Sequence, residues 1–189
     1  MRIGILGGTF DPPHIGHLFA ASDAIEALAL DRVLLVPAAI QPLKGGREVA
    51  TAAHRLAMVQ LLAADDPRFE VDPMEVVRGG LSFTIDTVRA LRERWPAGTA
   101  DLVLLLGGDA AAQFPQWKDP AAIRTLAEVV VLTRKDAPDG VPEGLRAVAT
   151  RRIDVSSTEI RERVHAGRPV RGFVTEPVAA YIARHGLYR

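Results

Sequence analysis

The sequence contains no cysteine, which excludes a disulfide framework, a thiolate nucleophile and any Cys-ligated zinc or iron–sulfur site. It also carries no net charge. Lys and Arg together number 23, as do Asp and Glu, so the basic excess usual in a nucleic-acid binder is missing. No apolar run reaches the ~18 residues of a membrane span, and no basic segment leads into a long apolar stretch, so no signal peptide is expected. Repeats and low-complexity tracts are absent as well. These gaps, with the lack of cysteine fitting a reducing compartment, lead to the expectation of a cytoplasmic protein with neither nucleic acid nor membrane as partner. At 189 residues, one α/β domain over 1–189 is expected, large enough to bury roughly 70% of its unfolded surface.

Short apolar runs alternate with helix-length amphipathic segments. Strands are expected at Arg2–Leu6, Arg32–Pro37, Phe69–Asp72, Asp101–Leu106, Glu128–Thr133 and Leu145–Ala149. "DLVLLLG" and "EVVVLT" are apolar throughout, as in central parallel strands covered on both faces. Helical patterns run from Gly16 to about Leu30, Thr51 to Ala64 and Thr84 to Trp95. A further helix starts at Asp119-Pro120, an N-cap followed by proline at the first helical position. Another opens at Ser156 with capping-box spacing to Glu159 and closes at Gly167, and the last is stopped by Gly186. Residues 137–144 read as a turn-rich loop. The order implies a doubly wound α/β fold with a mainly parallel sheet and a short C-terminal helical part.

Chemistry concentrates in "MRIGILGGTFDPPHIGH", residues 1–17. In parallel α/β sheets the first strand-to-helix turn is the usual place for phosphates. Gly7 and Gly8 let backbone N–H groups come close to a ligand, and the helix after Gly16 aims its positive end at the same spot. Neither G-x-G-x-x-G nor G-x-x-x-x-G-K-[ST] is present. In their place stand His14 and His17, three positions apart at a helix start, where both can donate to an anion. The alternatives are half of a metal site, with Asp11 as third ligand, or two hydrogen-bonded structural histidines.

"GGTFDPPHIGH" resembles the (T/H)xGH motif of the nucleotidylyltransferase superfamily, in the longer G-G-T-F-D-P-x-H-x-G-H form of bacterial nicotinate-nucleotide adenylyltransferases. "VSSTEIR" at 155–161 is similar to the superfamily's I-S-S-T-x-I-R, with Val155 for Ile on the strand side. Ser156, Ser157 and Thr158 bring hydroxyls and N–H groups to a helix N-terminus, and Arg161, one turn on, can fork onto phosphate oxygens. "PAAIQPLK" at 37–44 resembles a proline-bounded family loop ending in lysine, with Leu43 where His is common. "EVVRGGLSFTIDT" at 75–87 matches E-x-x-R-x-G-x-S-Y-T-x-D-T, with Phe83 for Tyr. "GGDAAAQFPQW" at 107–117 resembles the family's G-x-D…W segment, and "YIARHGLYR" its C-terminal ending.

The resemblance implies a Rossmann-like fold and adenylyl transfer from ATP to nicotinate mononucleotide, with Mg²⁺ accompanying ATP. It implies catalytic roles for His14, His17, Lys44 and Arg161. ATP contacts would come from Gly7, Gly8, Thr9, Phe10, His14, His17, Gly107, Asp109, Val155, Ser156, Ser157, Thr158 and Arg161. Acceptor contacts would come from Lys44, Gly80, Ser82, Phe83, Thr84 and Trp117, with main-chain N–H groups holding the nicotinate carboxylate and Trp117 stacking on the pyridine ring. His54, His165 and His185 are expected to be structural. Nicotinamide mononucleotide as acceptor, a catalytically silent nucleotide sensor, and assembly into a homo-oligomer all remain open.

Overall fold

The computed structural model describes residues 1–44, 49–134 and 141–189, without the side chains of Lys44 and Arg134. The chain runs β1 (Arg2–Gly8), α1 (Ile15–Leu28), β2 (Arg32–Pro37), α2 (Ala52–Ala63), β3 (Phe69–Val71), α3 (Met74–Arg78), α4 (Thr84–Arg94), β4 (Asp101–Gly107), α5 (Gly108–Gln113), α6 (Pro120–Leu126), β5 (Glu128–Arg134), β6 (Arg146–Thr150), α7 (Ser157–His165) and α8 (Glu176–His185). The strands form one sheet in the order β3-β2-β1-β4-β5-β6, and every pair in it is parallel. Sequence reversal therefore falls between β1 and β4, the place where a doubly wound sheet opens a crevice beyond its carboxyl ends.

Alternation along the strands sorts the core into two layers. Leu102, Leu104 and Leu106 of β4 face α4 and α6 with Ile85, Val88, Leu91 and Ile123. Val103 and Leu105 face the other way, toward Ala21, Ala24 and Leu28 of α1 and Val59 of α2. Covering on both faces explains the uninterrupted apolar run that marks β4 in the sequence. A third cluster joins Met58 and Leu62 of α2 to Ile160 of α7, and to Val178, Ile182 and Tyr188 at the C-terminal end. This cluster fastens the C-terminal helices beside the sheet.

Local signals account for most boundaries. Asp119 caps α6 by accepting from the Ala122 N–H at 3.3 Å, with Pro120 next in line. Ser156 accepts from the Glu159 N–H at 3.1 Å and starts α7. Gly186, at φ 60°, ends α8 in the left-handed region open to glycine. Apart from shifts of one or two residues at other element ends, these differences from the sequence expectation bear on the site. β1 runs through Gly7 and Gly8 instead of ending at Leu6, because pairing with Val36 and Pro37 of β2 continues to the second glycine. The short helices α3 and α5 are too brief to carry a periodic signal. Val155 lies between β6 and α7, on the strand side of the serine-rich turn as expected. Of the loop at 137–144, residues 137–140 lie outside the described residues.

Candidate active site

The turn after β1 is shaped by rings packed against glycines. Phe10 has φ 53° and is 2% exposed, a backbone conformation that costs an L-residue about 1–3 kcal/mol and is held here by burial. A Cβ on Gly8 would lie 3.1 Å from the Phe10 ring, so any other residue there would have to push the ring aside by a few tenths of an ångström. A Cβ on Gly16 would likewise sit 3.0 Å from His14 Cε1 and Nδ1. The glycine between the two histidines is thus what allows the His14 ring to fold back over the helix start.

The two imidazoles then differ sharply. His14, the N-cap of α1, is 8% exposed, and burial lowers its pKa from 6.5 to about 4. It is neutral at pH 7, and its buried Nδ1 has no hydrogen-bond partner among the described residues. His17 accepts the His14 backbone N–H at Nδ1, 3.1 Å away. A neutral His17 therefore carries its proton on Nε2, and that donor faces away from the backbone it caps. The two rings lie 3.8 Å apart between centroids, with Phe10 4.9 Å from His17.

The serine-rich turn meets this turn directly. Ser157 Oγ donates to the Pro12 carbonyl at 2.8 Å. Arg161 donates from Nη1 to the Asp11 carbonyl at 2.8 Å and from Nη2 to Thr158 Oγ1 at 3.1 Å. Two segments about 150 positions apart in the chain thus share one surface, with further guanidinium N–H groups left for an anion. The Asp11 carboxylate turns inward, 5% exposed, and accepts from the Val49 and Ala50 N–H groups and from Tyr188 Oη at 2.7, 3.1 and 2.7 Å. Beside that carboxylate, burial pushes the Tyr188 hydroxyl far above its ordinary value. With its oxygens so committed, Asp11 is a structural acceptor and not the third ligand of a metal. Among the described residues no group of three His, Asp or Glu side chains could hold a metal ion.

The neighbouring strand ends supply the rest of the rim. Gly107 at the end of β4 and Gly108 at the start of α5 would each direct a Cβ into open space among the described residues, and Asp109 beside them is exposed. Past β2, the Ala39 N–H donates to Ser82 Oγ at 2.9 Å, and the Ser82 N–H donates to the Ile40 carbonyl at 2.9 Å. Gly79 and Gly80, at φ 71° and 69°, turn the chain into α4. Phe83 heads that helix without a capping side chain, so the first-turn N–H groups at Thr84 are presented at a helix N-terminus. Glu75, 7% exposed, accepts from the Thr87 hydroxyl. Burial raises its pKa, while the Thr87 and Ser82 hydroxyls and Arg78 act to lower it. Trp117 stands edge-on to Phe114 at 5.5 Å, and Lys118 places its ammonium 4.6 Å over the Phe83 ring. The backbone at Lys44 is one turn of 3-10 helix, and its side chain lies outside the described atoms.

Of the predicted residues, those of 7–17 and 156–161 meet by direct hydrogen bonds, those of 80–84 are tied to the end of β2 through Ala39 and Ile40, and Gly107–Asp109 lie at and after the end of β4, beside β1. No hydrogen bond among the described residues ties Val155, Trp117 or the Lys44 backbone to them. A shallow hollow at the amino ends of the strands, lined by Arg2, Arg92, Asp101, Arg124 and Glu128, has its arginines committed. Arg92 serves the Ala100 and Leu126 carbonyls and Arg2 serves Glu128.

One important residue escaped the sequence reading. Arg55 of α2 is 1% exposed, and its guanidinium serves four carbonyls: Ala50, Thr9, Ala38 and Ala39, at 3.2, 2.7, 2.6 and 2.7 Å. An arginine in an amphipathic helix normally reads as a solvated residue, so no local signal marks it.

Known proteins resemble this chain in sequence and in fold. The model of the family described as cytidylyltransferase-like matches residues 5–163. A Gemmatimonas aurantiaca protein named "probable nicotinate-nucleotide adenylyltransferase" is 51% identical, the alignment covering 100% of this chain and 93% of that one. A Thermus thermophilus protein of the same name is 43% identical, with 100% of both chains covered. The solved Plasmodium falciparum nicotinic acid mononucleotide adenylyltransferase complexed with NaAD shares the fold, with a TM-score of 0.79 at 17% identity over 99% of this chain and 97% of that chain. The chain belongs to the cytidylyltransferase-like family, within its nicotinate-nucleotide adenylyltransferase branch.

Proposed function

We propose that the protein transfers the adenylyl group of ATP to the phosphate of nicotinate mononucleotide, giving deamido-NAD and pyrophosphate. An acceptor phosphate oxygen forms a bond to the α-phosphorus of ATP as the bond to the β-bridging oxygen breaks. The electron pair leaves with pyrophosphate. With a second pKa near ~6, the attacking phosphate is already largely dianionic at pH 7 and requires no general base. The demands on the protein are alignment of two anions and neutralisation of charge as it moves to the leaving group.

In this reading the turn at Gly7–Phe10, Gly107, Asp109 and the segment Val155–Thr158 cradle ATP. His14, His17 and Arg161 donate to its phosphates, with Lys44 as a further clamp. The His14 Nδ1, without a partner among the described residues, fits a phosphate ligand. Mg²⁺ would arrive on the nucleotide and add positive charge at the phosphates, and Asp109 would accept from the ribose hydroxyls or from a metal-bound water. Gly80, Ser82, Phe83 and Thr84 receive the acceptor's carboxylate, and Trp117 offers a flat face to its ring.

The observation that carries the proposal is the pair of bonds from Ser157 and Arg161 to the Pro12 and Asp11 carbonyls, which joins the two phosphate-binding segments. The experiment measures pyrophosphate release from Mg²⁺–ATP with nicotinate or nicotinamide mononucleotide. Faster release with the acid is expected. Preference for the amide would reassign the acceptor, and no release with either would make the protein a nucleotide-binding sensor.

A further inference from the structure

We propose that Arg55 is a positioning residue that sets the distance between the donor and acceptor halves of the cleft while touching neither substrate. The inference rests on the proposed adenylyl transfer and extends it to a side chain outside every motif. A single nitrogen, Nη1, donates to both the Thr9 carbonyl in the phosphate turn and the Ala38 carbonyl beyond β2. Nη2 holds Ala39, whose own N–H donates to Ser82 Oγ. From Thr9 to Ser82 the shortest path runs through Nη1 and the single peptide unit of the Ala38 carbonyl and the Ala39 N–H. Each end is a residue assigned to a different substrate.

The chemistry of the fork makes this more than packing. A planar guanidinium fixes the directions of its donors, so carbonyls from three segments are held at set angles to one another. Lysine in the same place has three donors on a flexible stem and can satisfy carbonyls without fixing their separation. In-line attack is sensitive to this separation, since a displacement of about 1 Å can cost ~10² in rate. Binding of each substrate alone draws on its own half and is affected far less.

The test uses the full chain with Arg55→Lys and Arg55→Met, Ser82→Ala, and the double variant Arg55→Lys/Ser82→Ala. Both substrates are varied in steady-state assays well below each variant's thermal midpoint. Arg55→Lys is expected to fold and to lose about 10²-fold in kcat, with KM for either substrate within about three-fold of the parent. Combined with Ser82→Ala, its loss should be no larger than that of the worse single variant, because the two side chains act along one path. A residue needed only for packing would lower the midpoint and leave kcat per folded molecule unchanged. The proposal is overturned by a folded Arg55→Lys with kcat within about two-fold of the parent, or by losses that multiply. Failure of both Arg55 variants to fold would overturn it too, by making Arg55 a folding element. An inactive parent protein would instead refute the proposed reaction.

Discussion

The donor half of the cleft is tied across nearly the whole chain, from Pro12 to Ser157 and from Asp11 to Arg161, whereas the acceptor half is joined from loops much closer in sequence. Ala39 meets Ser82, and Glu75 meets Thr87 within one short stretch. Their buried titratable groups differ as well. The donor half buries His14, a base held neutral, and the acceptor half buries Glu75, an acid pushed toward its neutral form. Desolvation disfavours the charged form of each and so moves their pKa values in opposite directions. In the proposed reaction the first half receives negative charge as it develops, while the Glu75–Thr87 bond of the second holds α3 to α4.

The strongest way to break this contrast is His17→Ala. Removing one pre-aligned donor from a developing charge costs about 10²–10³ in turnover, so kcat should fall by that amount while affinity for a non-hydrolysable ATP analogue changes little. Near-parental turnover would deny the donor half its catalytic role. Second in size is the acid sensitivity set by His14. Its folded pKa of about 4 lies below the unfolded 6.5, so its contribution is complete above pH 6.5 and is lost as the pH falls from there through 4. That gap corresponds to about 3 kcal/mol. Urea unfolding of the parent and of His14→Gln should therefore diverge over this window, with the parent losing more stability in acid. Parallel curves would contradict a neutral, desolvated His14.

The turn within the donor half could be read in the sequence because its own contacts are local, although the bonds that tie it to the serine-rich turn are not. Gly8 beneath Phe10 and Gly16 beneath His14 are short-range contacts within the motif itself, and Ser156 caps its own helix. The parallel sheet was legible for the same reason, since two-sided burial writes itself into runs such as that of β4. Arg55 and Tyr188 were not legible. Arg55 finds its carbonyls only when α2 packs against three loops, and Tyr188 meets Asp11 from 177 positions away. Neither pairing leaves a periodic trace. Glu75 stood inside a recognised block, but nothing in its neighbours announces that it is buried.

A smaller effect sharpens the acceptor side. Stacking of an aromatic face on a flat ring contributes about 0.5–1.5 kcal/mol beyond area burial. Trp117→Ala should therefore raise KM for the pyridine mononucleotide by roughly two- to twelve-fold, with KM for ATP unaffected. Its half-buried packing against Phe114 makes some loss of thermal stability part of the outcome. Equal rises in both KM values would place Trp117 in general support of the cleft and not at the acceptor's ring.

The smallest effect tests the opposition of the two buried groups. Glu75 has its pKa raised by burial, against the Thr87 and Ser82 hydroxyls and Arg78, with Asp72 nearby adding to the rise. An acid whose folded pKa exceeds its unfolded one contributes fully below the ordinary carboxylate range, and the contribution is lost as the pH climbs through the raised value. Its slope is thus opposite in sign to that of His14. In Glu75→Gln the side chain keeps an oxygen for the Thr87 hydroxyl but cannot ionise. Compared with this variant, the parent should lose stability from the ordinary carboxylate range upward, and the difference should level off once Glu75 is fully ionised. A pH-independent difference would mean that Glu75 is as ionised in the folded protein as in the unfolded chain, and the two halves would then bury their charge by one rule instead of two.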